Sequence, residues 1–143
     1  RSVRGRIYRA NGQTAETIQV YYREDTLYPE RGRYVLAADE LMGTKQQPYV
    51  HDSVITIEHR RKKYTFRIFY KHHKLLPINQ PIQALGGVAM EGDVLVVACG
   101  KKVAVRNFQN SREIRAAENA VRRFVQRLSP FRDRRSFPAS LGV

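Results

Sequence analysis

Residues 54–71 read VITIEHRRKKYTFRIFYK. In the second half of this stretch Tyr64, Phe66, Ile68 and Tyr70 fall on one face and Thr65, Arg67 and Phe69 on the other. That period of two belongs to a half-buried strand. Residues 54–58 form a partner run, and between the two lies the polar segment His59-Arg60-Arg61-Lys62-Lys63. The pattern predicts a β-hairpin with a basic tip.

Two further hairpins flank it. In residues 2–10, Val3, Gly5 and Ile7 alternate with Arg4, Arg6 and Tyr8. Asn11-Gly12 signals a turn. Residues 16–23 return with Ile18, Val20 and Tyr22 on one face and Gln19, Tyr21 and Arg23 on the other. Residues 93–99 are apolar on both faces, as expected of a central, doubly buried strand. Gly100-Lys101 then turns into residues 102–106, where Val103 and Val105 alternate with Lys102, Ala104 and Arg106. A short strand is expected at 33–37. Residues 24–32 read as a loop, 39–48 as one helical turn followed by loop, and 75–87, with Pro77, Pro81 and Gly86-Gly87, as an irregular crossing.

One helix is expected. Asn110 is an N-cap residue, with Glu113 three positions later as in a capping box. Ile114, Ala117, Val121, Phe124, Val125 and Leu128 recur at spacings of three and four, which makes an apolar stripe. Ser129-Pro130 is expected to stop the helix. No repeat is present. The fold class that follows is α+β, mostly β: a small antiparallel barrel or bent sheet built from hairpins, capped by one C-terminal amphipathic helix at about 111–128. The expected organisation is one domain over 1–129 and a flexible basic tail over 130–143 that includes Arg132, Arg134 and Arg135.

The chain has 143 residues, 42% of them hydrophobic, and a net charge of +13. A small domain needs a charge of only about 2–8 for solubility. The excess repels itself in the folded state, so it points to a negatively charged partner. The charge is also uneven. Residues 24–58 hold seven acids against three basic residues, whereas 59–143 hold eighteen basic residues against five acids. This is the pattern of oriented binding, or of an acidic segment that pairs with the basic one inside the fold.

The residues placed at a nucleic-acid contact fall in three groups. The first is the tip, Arg60, Arg61, Lys62 and Lys63, with Lys71 and Lys74 beside His72 and His73 at the opposite end of the second strand. A basic tip can follow a phosphate backbone without reading sequence. The second is the sheet face that carries Arg4, Arg6, Tyr8 and Tyr21, where Tyr and Arg together can stack bases and neutralise phosphates. The third is Arg115, Arg122 and Arg123 on the helix, with Arg112 and Arg127. Solvated surfaces explain each group separately, and the run at 59–63 also reads as a nuclear-localisation signal.

Catalysis has little to build on. Cys99 sits in an apolar run and reads as a buried small hydrophobe. His72 and His73 point to opposite faces of a strand, so they do not share a metal. HExxH, Walker and GxGxxG motifs are absent, as are RNP motifs, a KH GXXG loop and zinc-finger spacing. No cofactor is expected. One Cys allows no internal disulfide. No apolar run approaches the roughly 20 residues that span a bilayer. No signal peptide is visible, and the start at Arg1 predicts a piece of a longer chain. An intracellular location is expected, with the nucleus as a candidate. The functional expectation is a non-catalytic binder of DNA or RNA. The alternative is a protein-interaction or self-assembly module whose basic surface docks an acidic partner. No membrane role is expected.

Overall fold

The computed structural model describes residues 2–24, 34–36, 51–71, 76–86, 89–100 and 105–136. Among them are strands β1 (Ser2–Tyr8), β2 (Glu16–Glu24), β3 (Tyr34–Leu36), β4 (His51–His59) and β5 (Lys62–Tyr70), helix α1 (Gln80–Gly86), strands β6 (Val94–Cys99) and β7 (Val105–Arg106), and helix α2 (Ser111–Ser136). The strands form one sheet in the order β3-β2-β1-β6-β5-β4, with β7 paired to β6. Every strand pairing is antiparallel. The sheet is open, with β3 and β4 at its two ends, so the bent sheet and not the closed barrel is realised.

The three expected hairpins form. The first is wider than its Asn11-Gly12 signal implies, since pairing begins at Ile7↔Glu16. Asp93 secures the loop: its Oδ1 accepts the Ala10 N–H at 2.8 Å and its Oδ2 lies 3.8 Å from Arg9. The second is tighter than expected. His59 pairs with Lys62 and Glu58 with Lys63, so the turn consists of Arg60 and Arg61 alone. Both have positive φ, 52° and 67°. In the third, β7 pairs with β6 at Ala98↔Arg106 and Cys99↔Val105, so the connection spans 100–104 and is longer than the tight Gly100-Lys101 turn expected; residues 101–104, where most of the expected strand at 102–106 falls, lie outside the described residues.

β6 lies at the centre and is buried on both faces, as its sequence requires. Val94, Val96 and Ala98 join Phe66, Ile68, Ile55 and Ile57 beneath α2. Leu95 and Val97 join Val3, Ile7, Val20 and Phe69 on the other side. Each fully buried Val, Ile or Phe contributes about 1.5–3 kcal/mol. Gly5 permits the close approach of β1 and β6, because a Cβ there would sit 3.0 Å from the Val96 carbonyl oxygen.

α2 covers one sheet face with Ala116, Ala117, Ala120, Val121, Phe124 and Val125. Small alanines let the helix lie close, and Phe124 meets the Tyr70 ring edge-on at 4.8 Å. The cap is as read: Asn110 Oδ1 accepts the Glu113 N–H at 3.0 Å. Ser129-Pro130 does not stop the helix, which continues to Ser136. A proline costs one backbone donor and crowds the preceding turn, but it does not prevent helical geometry beyond it. The first part of the expected tail is therefore helical, and residues 137–143 lie outside the described residues.

The crossing at 75–87 also differs from expectation, since it contains α1. Asn79 starts this short helix and is completely buried. Its Oδ1 accepts the Ile82 N–H at 3.0 Å, while its Nδ2 donates to the carbonyls of Tyr8 at 2.7 Å and Gly92 at 2.8 Å. One amide thus joins the end of β1, the start of α1 and the approach to β6. Asn79→Ala is expected to cost about 3 kcal/mol, because it strands two buried carbonyls and removes an N-cap. Urea unfolding followed by circular dichroism measures this.

Candidate nucleic-acid interface

The β4–β5 hairpin presents Arg60, Arg61, Lys62 and Lys63 to solvent. Beside the turn, His59 Nδ1 lies 3.4 Å from Asn119 Nδ2 on α2. Arg112, Arg115, Asn119 and Arg123 are three or four residues apart, so they share one stripe of the helix. The three arginines are exposed. The His59–Asn119 contact therefore joins the hairpin tip to the arginine stripe. Two basic segments about sixty residues apart in sequence meet on one surface.

Arg122 has a different role from the one expected. It is half-buried; its Nε donates to the Leu85 carbonyl at 2.9 Å and another guanidinium nitrogen donates to Asn119 Oδ1 at 2.8 Å. It closes the C-terminal end of α1, which has no basic residue of its own in its last turn, and it orients Asn119. It is a positioning residue for the stripe and not a free cation.

Four acids of the fold are engaged elsewhere, whereas Glu58 lies opposite Lys63 in the β4–β5 register. Among the described residues, ion pairs form between Arg6 and Glu118 at 4.0 Å, Arg9 and Asp93 at 3.8 Å, Arg67 and Asp52 at 2.8 Å, and Arg106 and Glu113. None uses a tip or stripe cation. Of the acidic middle segment, Asp52 does pair within the fold, whereas Asp25, Glu30, Asp39 and Glu40 lie outside the described residues.

The expected aromatic platform is not assembled. Tyr8 is 2% exposed and belongs to the core under α2. Burial pushes its phenol pKa upward. Arg6, its neighbour on that face, is drawn under the helix toward Glu118. Alternation placed Tyr8 on a polar face, but α2 covers the Tyr8 end of β1 and leaves the Arg4 end open. Arg4 and Tyr21 are exposed, Tyr21 to 59%. Arg4 lines a shallow cavity of about 430 Å³ with Ser2, Thr17, Gln19 and Asn107. Three strands, β1, β6 and β5, separate β2 from β4 in the sheet order. Tyr64 is also unavailable: it is buried, with Lys62 Nζ 5.5 Å above its ring.

Lys71 requires a second correction. It is only 8% exposed, packed at the end of β5 opposite the tip, where an added Cβ on Gly92 would lie 3.8 Å from it. Its burial leaves it no open phosphate contact. Lys74, His72 and His73 lie outside the described residues.

Cys99 is buried, and desolvation pushes its thiol pKa up to about 11. The thiol stays protonated at neutral pH, which makes it a poor nucleophile. A thiol-reactive dye should label the native protein slowly and the urea-unfolded protein at least about tenfold faster. Equal rates would mean that Cys99 is accessible. No group of three or more His, Cys, Asp or Glu side chains that could hold a metal occurs among the described residues. No described helix is long and apolar enough to cross a membrane. Comparison with protein-family models, with curated proteins and with solved structures finds no match for this chain.

Proposed function

We propose that this domain binds nucleic acid without catalysis, through the surface formed by Arg60, Arg61, Lys62 and Lys63 together with Arg112, Arg115 and Arg123. The observation that carries this reading is the His59–Asn119 contact, which makes one cationic surface out of two segments that sequence keeps apart. The ion pairs support it, since they occupy other arginines and none engages a cation of this surface among the described residues. Even with Glu58 set opposite Lys63 in the strand register, seven cations repel one another on balance, and phosphate is the counter-charge that relieves this.

Fluorescence anisotropy with a labelled nucleic acid, repeated at several salt concentrations, tests the proposal. The expected result is a log–log slope of several units, about 0.9 for each neutralised phosphate. A complex whose affinity hardly changes with salt, or no complex at low salt, contradicts it. A second reading is favoured by β4, a nine-residue strand at the end of the sheet that pairs only with β5 among the described residues. Such an edge accepts an added strand from a second copy or an acidic partner. A strictly monomeric protein by light scattering at both low and high salt counts against self-assembly.

A further inference from the structure

We infer that the ligand is a double helix held by its phosphates, with the Arg60–Arg61 turn seated in a groove and the α2 arginines on a flanking strand; this rests on the nucleic-acid reading above. Three observations lead to it.

The first is the shape of the surface. The basic surface is a two-residue hairpin turn set beside α2 through His59 and Asn119. Proteins that hold single strands use instead a groove with aromatic platforms on which bases stack. Here Tyr64 is buried beneath Lys62, and the exposed Tyr21 is on β2, three strands away from β4. A basic surface with no exposed aromatic ring beside it among the described residues suits a backbone with dense, regularly spaced phosphates.

The second is size. A two-stranded ribbon fits the DNA major groove, about 12 Å wide. From Arg112 to Arg123 the helix rises about 16 Å at 1.5 Å per residue, enough to reach across a groove edge and along its phosphates.

The third is the turn itself. A two-residue hairpin turn with positive φ at both positions is normally Asn-Gly, because left-handed geometry is costly for a residue with a long side chain. Arg60 at 52° and Arg61 at 67° occupy it nonetheless. Their backbone geometry works against stability, and strain of this kind gathers at functional sites. Two guanidiniums at the apex of the ribbon are the feature that would be gained.

The test uses a duplex DNA of about 20 base pairs, a duplex RNA and an oligothymidine of equal length, compared by anisotropy titration over a range of salt. The duplexes are expected to bind at least about tenfold more tightly than the single strand. A preference for DNA places the tip in the wide major groove, and a preference for RNA places it over the shallow minor groove. Arg60→Asn/Arg61→Gly supplies the residues that this turn prefers, so the variant is expected to melt at or above the wild-type temperature. It should nevertheless lose duplex affinity, with a salt slope lower by about two. If oligothymidine binds as tightly as the duplexes, or if the Asn-Gly variant keeps the wild-type slope, the duplex inference is overturned while the binding function stands. If no nucleic acid binds, both are overturned.

Discussion

Removing all four tip cations, by Arg60→Asn, Arg61→Gly, Lys62→Thr and Lys63→Thr together, is expected to weaken nucleic-acid binding at least about 100-fold near physiological salt and to lower the salt slope by about 3–4. The size follows from counterion release. Each cation placed against a phosphate frees roughly one condensed ion, so four losses are nearly additive in the slope. The chosen residues keep the hairpin intact, because Asn-Gly suits the left-handed turn and threonine favours strand positions. The variant should therefore fold, and circular dichroism would verify that. Tyr21→Ala provides the contrast. Tyr21 is an exposed tyrosine on β2, remote in the sheet from the tip, and its loss should change affinity by no more than about twofold, whereas loss of a base-stacking residue would cost about 1–3 kcal/mol per base. A Tyr21 effect larger than that of the four cations would move the binding site to the first hairpin.

Glu113→Ala is expected to lower stability by about 3–5 kcal/mol. The Glu113 side chain is 1% exposed, and its carboxylate accepts two hydrogen bonds from the Arg106 guanidinium and one, at 2.8 Å, from the Gln109 backbone N–H. It ties β7, the connection to α2 and the first turn of α2 into one unit. Glu113 raises the pKa of Arg106 still further, chiefly through these hydrogen bonds, so the arginine stays charged at any working pH. Removing the carboxylate leaves that charge partly buried and unpaired, which costs more than the pair contributes when intact. A capping role alone would cost only about 1 kcal/mol. Urea denaturation separates the two, because a loss near 1 kcal/mol would reduce Glu113 to the capping residue that its spacing from Asn110 suggests.

Much of the fold is legible in the sequence because each hairpin carries its own local signal. Alternation in 2–8, 16–23 and 64–70 marks the strands, the VLVV centre of 93–99 marks the doubly buried one, and Asn110 with Glu113 marks the start of α2. The misses share a cause, which is dependence on distant partners. α1 has seven residues and contains Pro81, too little for a helical period to emerge, and it is anchored by Asn79 through carbonyls of Tyr8 and Gly92. Tyr8 has the alternation of a surface residue, yet the helix that buries it begins more than a hundred residues later. Pro130 reads as a stop, although Phe131 continues the sequence spacing set by Val121, Phe124 and Leu128. For the site, the composition of the tip and of the helix was readable and their convergence was not. It depends on His59 meeting Asn119, a pair of ordinary residues that no motif marks. The Arg60–Arg61 geometry was equally hidden, since a five-residue polar run does not reveal that only two residues turn.

Hairpin tip and helix stripe are proposed to form one binding surface. Its most direct measurement is the salt slope of Arg112→Ala/Arg115→Ala/Arg123→Ala on the same duplex that the wild type binds. These side chains are exposed and alanine favours helix, so the variant should keep its stability. The account predicts a slope lower by about two to three and a clear loss of affinity. A folded triple variant that retains the wild-type slope and affinity would contradict it.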